Sequence, residues 1–150
     1  MNKKIVQYAH AVLTIALAAF FINAGVKKFI PKPLRPVDEQ QLVEIVIKQQ
    51  TYTAPIGYNV TMNTFRANGF LKFIGVFQVL AGILMLIPRS RLAGLLTLLP
   101  IILNIFLMHV FLDNRPHENV ETGILLAINL VLVGFYYKQL LMLVVPARKE

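Results

Sequence analysis

Any chemistry in this chain must come from a few polar side chains set in apolar stretches: Asn23, Lys72, Gln78, Asn104, His109 and Asn129. In lipid a polar side chain is costly unless it faces a bundle interior or a cavity, so position alone makes these the candidate site residues. His109 can gain or lose a proton near neutral pH, or can be a satisfied core histidine. Lys72 can reach a carbonyl or an anionic headgroup, or can extend to the interface. Gln78, Asn104 and Asn129 can contact a ligand, or can hold helices together at about 0.6 kcal/mol each. No catalytic residue and no metal ligand set is assigned. HExxH, paired carboxylates within one apolar stretch, Ser–His–Asp and P-loop patterns are all absent from the sequence. Haem held by two histidines of one monomer is not expected either, because His10 lies near the start of the first apolar stretch and His109 near the end of the third. On parallel helices they would differ in depth by ~18 Å.

The elements that must position these residues are membrane helices. The clearest is the hairpin over 69–113, in which two apolar runs of about 20 residues flank a short turn carrying Arg89 and Arg91. Each run has the length needed for a ~30 Å hydrocarbon core. Residues 5–28 make a first span. A cleaved leader is the rival reading there, with Ala16-Leu17-Ala18 as the cleavage site, but the apolar run continues through Phe20, Phe21 and Ile22. Residues 122–145 make a fourth span, with Lys138 close enough to its end to extend out of lipid. The expected fold is therefore an all-α integral membrane four-transmembrane-helix bundle, one domain over 1–150, with spans at about 5–28, 69–88, 92–112 and 122–145. Pro100 should kink the third span and free a carbonyl near Leu96. Gly25, Gly69, Gly75, Gly82 and Gly94 are read as sites of close helix approach.

A long polar connection, 31–68, joins the first two spans. Pro31, Pro33 and Pro36 make an extended lead-in. Residues 37–50 fit a short amphipathic helix on the membrane surface, with a strand as the alternative. Residues 51–64 read as loop, forming an ordered cap through Tyr52, Ile56, Tyr58 and Val60. Four spans place both termini on one side, with Lys3, Lys4, Arg89, Arg91, Arg148 and Lys149. That favours cytoplasmic termini, although Lys27, Lys28, Lys32, Arg35, Lys48 and Arg66 argue the other way. Measured from the opposite face, Asn23, Lys72 and His109 lie within about one helical turn, and Gln78, Asn104 and Asn129 roughly 10–14 Å deep. Together they outline a polar pocket opening away from the cytoplasm and roofed by the long connection.

Composition bounds the reading. Of 150 residues, 57% are hydrophobic, more than a soluble domain of this size can hide. The mean hydropathy of +0.64 says the same. The formal charge is +8, but the basic residues flank apolar spans, so they act on topology and lipid headgroups and nucleic acid is not expected as a partner. The chain has no cysteine, which removes disulfides, thiolate metal sites, iron–sulfur clusters and thiol relays.

Four spans, a long first connection, Gly25 followed by Lys27 and Lys28, the stretch LKFIGVFQVLAGILMLIP and the segment PIILNIFLMHVFLD (100–113) resemble the DoxX family of small bacterial four-helix membrane proteins. The resemblance covers most of the chain except the long connection. It implies a bundle in the bacterial inner membrane. It also implies a link to quinone-coupled oxidation of thiosulfate or to membrane complexes that handle oxidative stress. Gln78 departs from the family pattern, in which an acidic residue often stands at that place. The reading that follows is an accessory subunit of a redox-linked complex, holding a quinone or a lipid and docking a membrane or soluble oxidoreductase. A small transporter or channel-like component and a structural or assembly protein stand as alternatives. The small-residue faces fit either a monomeric bundle or a homo-oligomer.

Overall fold

The computed structural model describes residues 3–44 and 55–144, and among these every regular element is helical. Helix α1 (Lys3–Val26) tightens into a 3₁₀ turn, Lys27–Phe29, before Pro31 and an extended lead-in. Helix α2 (Glu39–Leu42) is one turn; the expected surface helix over 37–50 is seen only in this first part, since 45–50 lie outside the described residues. Helix α3 (Ile56–Ala67) corrects the reading of 51–64 as loop from Ile56 onward. Pro55 and Gly57 sit at the start of α3, where a missing N–H or a missing side chain costs least. Tertiary contact then outweighs the poor helix propensity of its Asn and Thr residues.

Helix α4 (Phe70–Leu86) follows α3 at an angle of 83°. A single residue makes this corner. Gly69 has φ 79°, the left-handed conformation that closes one helix and opens the next. Around it the Asn68 N–H bonds the Thr64 carbonyl at 3.1 Å, while the Asn68 side chain accepts from the Phe70 N–H at 3.0 Å. Gly69 is thus a corner and not a helix contact, since a Cβ there would meet nothing within 4 Å.

Helix α5 (Arg91–Met108) returns antiparallel to α4 through a turn that satisfies the end of α4 with its own side chains. Ser90 Oγ donates to the Leu84 carbonyl at 3.0 Å and Arg91 Nε to the Met85 carbonyl at 3.2 Å. Pro100 lies inside α5. Its ring removes the donor that would have served Leu96, and Asn129 Nδ2 reaches the neighbouring Leu95 carbonyl at 3.4 Å. A five-residue π turn, His109–Asp113, ends this arm. Helix α6 (Pro116–Gly134) then runs back, and α7 (Tyr137–Val144) follows a break at Phe135 and Tyr136. The expected fourth span is therefore two helices. Gly134 weakens the helix there, and His10 of α1 packs edge-on against Phe135 and Tyr136 at 5.0 and 5.5 Å.

Helix α1 packs on α4, α4 on α5, α5 on α6, and α6 returns to α1. Glycines set the spacing. A Cβ on Gly25 would lie 2.7 Å from the Gly75 carbonyl, one on Gly75 2.8 Å from the Gly25 carbonyl, and one on Gly94 2.6 Å from the Ala81 carbonyl. Thr14, Gln78 and Asn129 are buried alongside the apolar cluster of Leu17, Phe21, Met85, Leu98, Ile102 and Leu132. The outer faces are apolar instead: Val12, Ile15, Phe73, Ile83, Leu103, Ile124 and Val131 are all exposed. Soluble proteins rarely leave an apolar surface of this extent open to water. Two helical stretches, Lys3–Phe29 and Arg91–Asp113, are long and apolar enough to cross a membrane, and the bent α3–α4 pair is a third candidate.

Two glycine substitutions should separate backbone freedom from packing. Gly69→Ala should destabilise by about 1 kcal/mol, the cost of a left-handed alanine with no clash. Gly94→Val should cost more, about 2–4 kcal/mol, because the Ala81 backbone cannot retreat. Thermal unfolding in one detergent checks both, and equal effects would contradict the distinction.

Candidate functional site

Helix α3 lies across the end of the bundle where α1 finishes and α4 begins. Two adjacent stripes on it do different work. Asn59, Asn63 and Arg66 grip the extended lead-in. Asn63 accepts from the Arg35 N–H at 2.8 Å and donates to its carbonyl at 2.9 Å. Asn59 donates to the Pro36 carbonyl at 3.1 Å and Arg66 Nη1 to the Pro33 carbonyl at 2.7 Å. Prolines bring acceptors without donors, so side chains of α3 take the place of a backbone ladder. The other stripe, Tyr58, Met62 and Phe65, faces the ends of α4 and α5.

Under Tyr58 sits a compact charged cluster. The π turn adds a residue to the helical turn and brings His109 and Asp113 inward, exposed by only 8% and 3%. His109 Nδ1 lies 3.0 Å from Asp113 Oδ2. An ionised carboxylate only accepts, so Nδ1 carries the proton and Nε2 is the nitrogen available to another partner. Arg115 closes a fork on the same carboxylate, from Nε to Oδ1 at 2.9 Å and from its terminal nitrogen to Oδ2 at 2.7 Å. Asp113 in turn holds the Arg115 guanidinium above its already high ordinary value. Asn114, at φ 51°, returns its N–H to the His109 carbonyl at 2.7 Å, and Pro116 then starts α6 with Glu118 in its first turn. The Tyr58 ring lies 5.0 Å from the His109 ring, and the Arg35 guanidinium stands 4.8 Å above Tyr58. Arg35, Tyr58, His109, Asp113 and Arg115 form one stack from the lead-in to the start of α6.

Three spaces adjoin this stack. A cleft of about 480 Å³ lies between the end of α1, the lead-in and α3, lined by Lys27, Lys28, Lys32, Arg35, Arg66 and Lys72. A groove of about 460 Å³ lies between α4 and α5, lined by Phe65, Phe70, Phe73, Phe77, Ile105 and Met108, with Asn104 in its wall. A chamber of about 130 Å³ lies between them, sharing Lys28, Met62 and Leu71 with the cleft and Phe65, Ile74, Ile105 and Met108 with the groove; His109 is part of its wall.

The six candidate residues are therefore not gathered in one pocket. His109 lies at the chamber, Asn104 in the groove and Lys72 in the cleft. Gln78 and Asn129 are fully inside the core, 1% and 0% exposed, and each side-chain carbonyl there is without a hydrogen-bond partner. Asn23 is on the exposed face of α1. Asp113, Arg115 and Tyr58 belong to the site and were not among the candidates. The signal for the first two was present as an acid four residues after His109, followed by Arg115-Pro116 at a helix start. Among the described residues, no three His, Asp or Glu side chains cluster as a metal site requires. Comparison with family models, with curated proteins and with solved structures finds no match to this chain.

Asp113→Asn should destabilise the protein by about 1–3 kcal/mol, because it weakens the three charge-assisted bonds at a buried carboxylate. Hydrogen exchange should rise first in α3, whose Tyr58 rests on His109. Faster exchange confined to α6 would show that the cluster does not support the cap.

Proposed function

We propose that the chain is a DoxX-like, four-span protein of the bacterial inner membrane, with cytoplasmic termini, and an accessory subunit of a redox-linked complex that holds a quinone or a lipid. The groove between α4 and α5 carries this reading. Its walls are aromatic and aliphatic, it lies on an apolar outer face, and it continues inward to a histidine whose orientation is fixed by Asp113. That combination suits an amphiphile, whose chain stays in the apolar part while its head meets a polar end. In the four-span arrangement α6 and α7 together make the last span. The exposed Ile124, Leu130, Val131 and Phe135 supply its lipid-facing side. Lys138, toward the end of that span, can extend its ammonium to the headgroups. The acidic turn between α5 and α6 faces away from the cytoplasm.

Stand-alone catalysis forms no part of this proposal, because Asp113 is held by His109 and by the Arg115 fork and serves to orient the imidazole. The role of the chain is to hold a membrane-soluble molecule, and where that molecule is a quinone, to present it to an oxidoreductase partner.

Mass spectrometry of solvent extracts from protein purified in mild detergent tests this directly. Wild type should carry about one equivalent of a single quinone or lipid species, and Ile105→Trp, which fills the junction of groove and chamber, should carry none. His109→Ala should lower retention without emptying the groove. Bulk lipid of the same composition in all three samples would overturn the proposal.

A further inference from the structure

The basic cleft has no account in the topology of the chain. Lys27, Lys28, Lys32, Arg35, Arg66 and Lys72 converge on one space. They do so at the end of the bundle opposite Lys3, Lys4, Arg89 and Arg91, so the positive-inside tendency that places the latter does not explain them. The ion pairs among His109, Asp113, Arg115, His117 and Glu118 engage no cation of the cleft. Nor does any described carboxylate line the cleft. Two of the cations are held in place: Arg66 by the Pro33 carbonyl and Arg35 by the Tyr58 ring. The Arg35 Nε is buried without an acceptor. Six like charges gathered around one space repel one another, and an anion among them relieves that repulsion.

The position of the cleft names the kind of anion. It shares the side chains of Lys28, Met62 and Leu71 with the chamber, which in turn shares Phe65, Ile74, Ile105 and Met108 with the apolar groove. We propose that the cleft binds the phosphate of an anionic membrane lipid whose chain lies in the α4–α5 groove. This rests on the amphiphile-holding reading above and deepens it, since a quinone head is neutral and would leave the six cations unmatched. Lys27, Lys32 and Lys72, all exposed, meet the phosphate from the rim, while Arg35 and Lys28 meet it from the inner wall. Arg66 orients the lead-in that forms the far side of the cleft.

The test is native mass spectrometry of delipidated full-length protein with equimolar phosphatidylglycerol and phosphatidylcholine of matched chains. Wild type should retain one phosphatidylglycerol, preferred by about tenfold or more, and the preference should shrink with added salt. The triple variant Lys27→Gln, Lys32→Gln, Lys72→Gln changes only exposed side chains. It should bring the preference to within about twofold while still holding one lipid of either kind. Ile105→Trp should hold neither. Equal retention of the two lipids by wild type would overturn the headgroup assignment and leave the amphiphile reading standing, as would displacement of both by equimolar added ubiquinone. An unchanged preference in the triple variant would overturn the assignment to this cleft. Displacement of phosphatidylglycerol by equimolar glycerol phosphate would show a site for soluble phosphate and overturn the lipid. No retained lipid or quinone in wild type would overturn both readings.

Discussion

Everything at the functional end depends on how closely α1 approaches α4. Gly25 and Gly75 face each other so tightly that a Cβ on either would fall within 3 Å of the other's carbonyl. In an apolar medium no hydrophobic force drives helices together, and close packing of backbone on backbone supplies the attraction instead. The same crossing fixes what lies above it. A Cβ on Gly75 would also stand 3.1 Å from Lys28 Cβ and 3.2 Å from the Phe29 ring. The cations at the end of α1 are thus delivered beside Lys72 at the start of α4, and the cleft between them has a floor that cannot slide.

The second requirement is a roof, which is built by different means. Helix α3 touches the bundle through Tyr58, Met62 and Phe65 and touches the lead-in through Asn59, Asn63 and Arg66. The first contact is apolar and the second is hydrogen bonding to carbonyls in a proline-rich strip. Gly69 turns the chain through the corner that lets both contacts form. Removing the His109–Asp113–Arg115 cluster would leave Tyr58 resting on an unsupported turn.

Much of this was legible in the sequence and some was not, for identifiable reasons. The ends of α1, α4 and α5 follow from the lengths of the apolar runs and from Pro31, Pro88 and Arg89. Gln78 and Asn129 were readable as interior, because in lipid the polar face turns inward. Depth alone placed Asn104 with them. The buried stripe of α5, Leu95, Leu98 and Ile102, puts position 104 on the opposite side of the helix, which a run apolar on every face does not reveal. Helix α3 was hidden by its composition. Gly57, Asn59 and Thr64 argue for loop, yet Tyr58, Met62 and Phe65 recur at intervals of four and three. The role of Asp113 was hidden by its place at the end of an apolar run, where an acid reads as a boundary. Only a π turn, which sequence does not announce, rotates it inward.

The turn between α4 and α5 has a consequence for how the bundle comes together. The facing pair Ala81 and Gly94 is separated by roughly thirteen residues of chain, whereas Gly25 and Gly75 are separated by roughly fifty. Loop-closure entropy makes the longer closure more expensive by about 1 kcal/mol. The shorter one is also stapled by its own Ser90 and Arg91. The helical hairpin α4–α5, with its apolar groove, is therefore the more locally determined part of the molecule. The α1–α4 seam must close over a much longer stretch of chain.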